Sequence, residues 1–137
     1  MSKKTVVITG SSRGIGRACA ILFAKNDYNV VINYNKSKEL AEELFNNLKD
    51  AGYSVDIFKA DISNRFEANS LINHCIGRFG RIDVLINNAG ISQNKLFTDI
   101  TDDDWNEMMG TNLNGVFYTT QNGSCGMITE CYYYFRI

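Results

Sequence analysis

No proline occurs anywhere in the 137 residues, and histidine occurs only once, at His74. The missing proline carries no functional reading. His74 shares a predicted helix face with Glu67 and Arg78, off the apolar stripe, and reads as a solvated surface residue. That leaves no histidine for a catalytic scheme. Long apolar runs are absent too. The opening "MSKKTVVITG" is too short in strongly apolar residues for a signal-peptide core, and no stretch is long enough to span a bilayer. The expected location is the cytoplasm. Cys19, Cys75, Cys125 and Cys131 form no C-x-x-C pair, and without an export signal they are expected as free thiols. Cys19 and Cys75 fall on apolar helix faces, where core thiols sit. Neither sign of charge dominates: 14 Lys and Arg against 15 Asp and Glu leave a formal charge of −1. Charge therefore points to no nucleic-acid and no membrane partner.

What is present is an alternation of two hydrophobic periods within a length that fits one domain. "TVVIT" (5–9), "NVVINY" (29–34), "SVDIFKA" (54–60) and "RIDVLIN" (81–87) read as strands. Three of them carry unbroken Val, Ile and Leu triplets, as strands covered on both faces do. Between them, helical stripes comprise Ile15, Ala18, Cys19, Leu22 and Phe23; then Leu40, Ala41, Leu44, Phe45 and Leu48; then Ala68, Ile72, Cys75, Ile76 and Phe79. The pattern predicts an α/β fold of Rossmann type, a doubly wound parallel sheet, ending after about four strands. Further on, Thr101 and Asp104 have capping-box spacing, and Asp102 to Asp104 would face the positive end of that helix. The cap accounts for the acidic triplet, and no metal site is expected.

Residues 6–23, "VVITGSSRGIGRACAILF", place three glycines between the first strand and the first helix. Glycine is poor in a helix, so its presence needs a reason. Gly10 permits a sharp exit from the strand, Gly14 lets backbone approach a ligand, and Gly16 lets the helix pack closely on the sheet. The loop from Gly10 through Ser11, Ser12, Arg13, Gly14, Ile15 and Gly16 then opens a helix whose unpaired amides and positive dipole suit a pyrophosphate. A tight turn without a ligand is the alternative. A nucleotide-hydrolase phosphate loop is disfavoured, because no Gly-Lys-Ser or Gly-Lys-Thr follows.

The end of the second strand selects the dinucleotide. An NAD site places an acid there, on the adenosine ribose. Here Tyr34 and Asn35 stand in that place, followed by Lys36 and Ser37. An acid would repel a 2′-phosphate, whereas Lys36 would attract one, and Arg13 can reach the same side. Each charge-assisted hydrogen bond contributes roughly 1.5–3 kcal/mol when well formed. The pattern favours NADP(H) over NAD(H), with surface charges as the other reading of Lys36 and Arg13.

"TGSSRGIG", the "ADI" of 60–62, "NNAG" at 87–90 and "TNLNGVF" at 111–117 occur in this order. In that register the chain resembles the short-chain dehydrogenase/reductase family over residues 5 to about 121. The resemblance implies an NADP-dependent oxidoreductase that transfers hydride between nicotinamide and a carbonyl or secondary alcohol. It implies that Asp61 binds the adenine amino group and Ile62 packs on the ring. It implies that Asn88, Ala89 and Gly90 line the coenzyme near its ribose, and that Asn87 ties strands together. Asn112 matches the asparagine of the family's catalytic set, which holds a water in a proton relay. Alone, Asn87 and Asn88 would also pass as strand-end caps. Within the family, the acyl-carrier reductase branch is most similar, with sugar and polyol dehydrogenases still open. The parent would form homo-oligomers through its later helices.

The family's Ser and Tyr-x-x-x-Lys lie beyond Asn112, where this chain has only "QNGSCGMITECYYYFRI" after its "TNLNGVFYTT". Tyr132 and Arg136 have Tyr-x-x-x-basic spacing, with Ser124 upstream. Arginine spreads its charge over a planar fork and does not replace a compact ammonium. Twenty residues from Asn112 to Tyr132 are also expected to be short for both a helix and a returning strand. Residues 1–121 therefore read as an NADP-binding half and 122–137 as an aberrant tail. The fourth strand should then become an open, association-prone edge, unless "GMITECYYYF" pairs with it. A second reading of the whole is a non-catalytic fragment that binds the adenosine-diphosphate half of NADP(H).

Overall fold

The computed structural model describes residues 2–124 and the backbone of 130–133. Four predicted strands appear as β1 (Thr5–Ile8), β2 (Asn29–Tyr34), β3 (Val55–Lys59) and β4 (Val84–Asn87). Helices α1 (Gly14–Lys25), α2 (Lys38–Asp50) and α3 (Arg65–Phe79) alternate with them. After β4 come α4 (Asp102–Met109), a π-helical turn over Gly110–Asn114, α5 (Gly115–Ser124) and a short β5 (Glu130–Tyr133). The sheet is parallel throughout, in the order β3-β2-β1-β4-β5.

The α/β doubly wound class therefore holds, and the sheet gains a strand. The tail pairs with β4, placing Val84 opposite Glu130 and Asn87 opposite Tyr133. The edge expected to be open is covered. Twenty residues suffice because α5 has only ten of them, about 15 Å of rise, and β5 needs only four. Tyr132 lies in β5 opposite Ile86, while Arg136, and with it the Tyr132–Arg136 spacing, lies outside the described residues.

Two cores flank the sheet. Val6, Ile8, Val30 and Ile32 face α1 and α2, against Ala20, Ala24, Ala41, Leu44 and Leu48. Val7, Val31 and Leu85 face the other way, onto Ala68, Leu71, Ile72 and Cys75 of α3. The stripe expected for α1 is displaced. Its buried residues are Gly16, Ala20 and Ala24, whereas Ile15 and Leu22 are about half exposed. Small residues let α1 lie close to β1 and β2, and closeness, not side-chain size, selects the buried face. Leu40 of α2 is likewise turned outward.

His74 is not a solvated surface residue. Its Nε2 lies 2.9 Å from Asp56 Oδ2 and its ring packs on Phe58, at 4.5 Å between centroids. It fastens α3 to the edge strand β3. The expected cap at α4 is present: Thr101 Oγ1 accepts from the Asp104 amide, and Asp104 accepts from the Thr101 amide. Lys95 donates to the same carboxylate at 2.6 Å and, with Thr101, holds the Asp104 carboxyl down at about 2.

Cys75 is fully buried, and burial pushes its thiol from 9.0 up to about 12, with Asp56 and Asp83 adding to the rise. In the folded chain the proton stays on while the unfolded thiol loses it near pH 9. Stability contributed by this group is present below pH 9 and falls as pH rises from there towards 12. Peptide mapping after alkylation at pH 8 should find Cys75 unmodified in the native chain and modified in urea. Native labelling at the unfolded rate would contradict this burial.

Candidate functional site

Strand ends, not side-chain clusters, define the principal cleft. The chain winds outward from β1 through β2 to β3, then crosses back to place β4 on the other side of β1. Loops leaving β1 and β4 part in opposite directions, and a crevice opens at the carboxyl ends of the strands. The cleft holds about 520 Å³, within the range of small-molecule sites.

Its floor is the glycine loop. Gly10 and Gly14 both take φ +59°, a left-handed value that favours glycine. A Cβ on Gly10 would lie 2.8 Å from Ala89 Cα, so β4's exit loop presses directly on the turn. Gly16 packs on its own loop and on Asn88 more than on the sheet: its Cβ would come within 2.6 Å of the Gly10 carbonyl oxygen and 2.5 Å of Asn88 Nδ2. Asn88 Nδ2 donates to the Gly10 and Thr9 carbonyls at 2.8 and 3.0 Å. Thr9 Oγ1 in turn accepts from the Asn88 and Ala89 amides, both at 3.0 Å. Asn88 and Ala89 are thus clamps of the loop as well as cleft walls.

Ser11 departs from the expected lining. It is fully buried, with Oγ donating to the Ile8 carbonyl at 2.8 Å and accepting from the Asn33 amide at 3.0 Å. It shapes the loop from behind. Ser12, Arg13, Gly14 and Ile15 do reach the cleft, as does Gly10. The α1 terminus that they form is open. Arg13 supplies no side-chain cap and no acid stands in the first turn, in contrast to the side-chain caps of α3 and α4. First-turn amides left in this way carry the helix's positive partial charge into the cleft.

Tyr34, Asn35, Lys36 and Ser37 form the neighbouring wall, and Ser37, which precedes α2, makes no side-chain cap either. Arg13 and Lys36 have no carboxylate partner among the described residues. Two unpaired cations and two uncapped helix starts thus meet on one side of the cleft.

Asp61, Ile62 and Ser63 make the opposite end. Asp61 Oδ1 accepts from the Ser63 amide at 3.0 Å and hydroxyl at 2.6 Å, while Glu67 accepts from the Asp61 amide at 2.7 Å. Ile62 is almost wholly buried, against Gly115 of α5, where a Cβ would come within 2.7 Å of its Cδ1. Gly90 and Ile91 complete the wall from β4, with Glu107 and Thr111 facing them.

Asn112 does not line the cleft. Its Oδ1 accepts from the Ile91 amide and its Nδ2 donates to the Ile91 carbonyl, each at 2.9 Å. One amide grips one peptide, anchoring the β4 loop to the π-helical turn. Asn87 ties its strand to a helix: Thr119 Oγ1 donates to Asn87 Oδ1 at 2.6 Å, and Asn87 Nδ2 donates to Thr120.

Sequence reasoning missed Asn33. It is 2% exposed, and its Oδ1 accepts from the Gly10 amide at 3.1 Å. Its Nδ2 donates to the carbonyls of Ala60 and Phe58 at 3.2 and 3.3 Å. This one side chain locks the glycine loop to the ends of β2 and β3. A polar residue closing the apolar run "VVIN" was the available signal. Among the described residues, no group of three His, Cys, Asp or Glu could hold a metal, and no helix is long and apolar enough to cross a membrane.

An open parallel sheet with helices on both faces, and a glycine-floored crevice at its switch point, defines a Rossmann-type α/β protein. The family model described as short chain dehydrogenase matches residues 4–131, and the chain belongs to that family. It is 36% identical over 127 residues to the 3-oxoacyl-acyl-carrier-protein reductase FabG of Staphylococcus aureus, covering 93% of this chain and 52% of that protein. Among solved structures it is similar to a short-chain dehydrogenase/reductase mutant of Serratia marcescens (28% identity, TM-score 0.88, 92% of this chain and 51% of that one). A short chain dehydrogenase from Burkholderia cenocepacia in complex with NADP is equally near in shape, with 29% identity, a TM-score of 0.88, and 92% and 51% coverage. The chain spans about half the length of the curated relatives it matches.

Proposed function

We propose that this chain is the NADP(H)-binding half of a cytoplasmic short-chain oxidoreductase, holding the coenzyme by its adenosine-diphosphate side. The observation that carries this reading is the uncapped, acid-free start of α1, set beside the unpaired Arg13 and Lys36. Backbone amides of Gly14 to Gly16 would take the diphosphate, and Arg13, Lys36 and Ser37 the 2′-phosphate. Asp61 has Oδ1 engaged by Ser63 and, among the described residues, no hydrogen bond at Oδ2, which leaves an acceptor for the adenine amino group. Asn88, Ala89 and Gly90 would border the ribose.

When bound, the coenzyme supplies hydride exchange with a carbonyl or secondary alcohol. This chain's residues bind and orient it. Asn112 acts through Ile91, holding the loop that follows β4 against the π-helical turn. Action on an acyl-carrier substrate and assembly into homo-oligomers belong to the same proposal, supported by the similarity to the acyl-carrier reductase. The proton-donating Tyr-x-x-x-Lys of the family has no counterpart beyond Asn112 in these 137 residues. The second reading is that these 137 residues by themselves bind the coenzyme without turning it over.

Calorimetric titration with NADP⁺ and NAD⁺ tests the first reading, and NADPH oxidation with a panel of ketones the second. NADP⁺ should bind about tenfold or more tightly than NAD⁺, the worth of one charge-assisted contact. Equal or tighter NAD⁺ binding would overturn the choice of coenzyme, and ketone-dependent turnover would overturn the second reading.

A further inference from the structure

Arg17 stands one helical turn inside α1 from Arg13, and its amide donates to the Arg13 carbonyl. Its guanidinium leaves α1 altogether. One terminal nitrogen donates to Glu43 Oε1 at 3.0 Å and the other to the main-chain carbonyl of Leu40 at 3.4 Å, both on α2. These are the only hydrogen bonds between the two helices among the described residues, and the side chain that makes them is 27% exposed.

The grip on Leu40 matters more than the ion pair. Leu40 lies in the first turn of α2, three residues after Ser37, and its carbonyl is backbone that cannot swing away. A side chain fixed there fixes the start of the helix. The link from β2 to α2 is otherwise short and lightly held, with the Lys38 amide donating to the Lys36 carbonyl at 3.0 Å. At the other end, α1 itself is immobile at its start, because Gly16 lies tight against Gly10 and Asn88.

We infer that Arg17 is a positioning residue for coenzyme selectivity: its fork sets the separation of the α1 and α2 starts, so that Arg13 and Lys36–Ser37 converge on one phosphate. The inference rests on the NADP(H)-binding reading above. A partly exposed ion pair does little for stability, so the effect falls on ligand geometry. The diphosphate, held by α1 alone, is indifferent to Arg17. A 2′-phosphate bridging the two helix starts is not. Lysine in place of Arg17 keeps the charge but loses the planar fork that reaches two acceptors at once.

The test uses the full chain with Arg17→Met and Arg17→Lys, titrated with NADP⁺ and with NAD⁺, alongside thermal melting. Both variants should lose about tenfold in NADP⁺ affinity, hold NAD⁺ affinity within about twofold, and melt within a few degrees of the parent. Equal losses for the two nucleotides, no loss, or full NADP⁺ affinity in Arg17→Lys would each overturn the inference. Should Arg17→Met fail to fold, Arg17→Lys alone decides. If the parent chain binds neither nucleotide, the function proposed above fails and takes this with it. If the parent binds and the preference is unmoved, only the role of Arg17 fails.

Discussion

Gly16→Ala is expected to leave little folded protein. The added Cβ would sit 2.5 Å from Asn88 Nδ2, 2.6 Å from the Gly10 carbonyl oxygen and 2.9 Å from Ser11 Cα. Two of these three are main-chain atoms of a turn that Asn33 and Asn88 already hold, so the clash cannot be relieved by rotating a side chain. Overpacking of this kind costs about 1–3 kcal/mol. Displacing Asn88 from its two carbonyls adds roughly 1–3 kcal/mol more. The sum is a large share of the 5–15 kcal/mol typical of whole domains. Gly14→Ala provides the contrast. Nothing lies within 4 Å of its Cβ, and only the positive φ opposes it, for about 1–2 kcal/mol. Urea unfolding of both variants checks the pair, and a Gly16→Ala midpoint equal to that of Gly14→Ala would show that the loop yields freely.

Asp83→Ala should be nearly as severe, for a different reason. Asp83 is 3% exposed and accepts from the Thr5 amide at 2.8 Å. It also accepts from Arg81 Nε at 2.8 Å and from a second nitrogen of the same guanidinium. Removing the carboxylate strands a buried amide at the start of β1 and frees an arginine that already reaches solvent. The expected cost is about 3 kcal/mol, at the lower end for broken buried pairs because Arg81 can rehydrate. Asp83→Asn keeps an acceptor for Thr5 and should lose about half as much. Chemical denaturation measures both, and an unchanged midpoint in Asp83→Ala would remove this pair from the account of stability.

Much of the fold could be read along the chain because it is written in local chemistry. β1 and β2 begin one residue before their apolar triplets, the glycine loop lies where a strand meets a helix, and Thr101 with Asp104 states its own cap. Features decided by a distant partner were harder. α1 buries Ala20 and Ala24 outright, with Cys19, Ile21 and Phe23 partly buried beside them, and leaves Ile15 and Leu22 about half exposed. Ser11 carries a hydroxyl suited to a phosphate, yet turns inward to meet Ile8 and Asn33. The bond between Asn112 and Ile91 spans 21 positions, and nothing in either neighbourhood announces it. His74 has a polar helical face around it and gave no sign of Asp56, which arrives from the edge strand. In the cleft, Gly10, Asp61, Ile62, Asn88 and Gly90 came from quoted motifs, as did Thr111 at the head of "TNLNGVF", whereas Asn33 and Glu107 came from segments with no motif.

Because every strand runs the same way, the sheet has two unlike margins. Thr5, Arg81 and Asp83 knit the strand beginnings, while Gly10, Asn33 and Asn88 gather at the strand finishes, roughly 13 Å distant for a four-residue strand. The strand beginnings add stability without bordering the cleft, whereas the finishes hold the glycine loop and the cleft together. A designer could harden the first border and leave the cleft alone, while a change at the second would act on both.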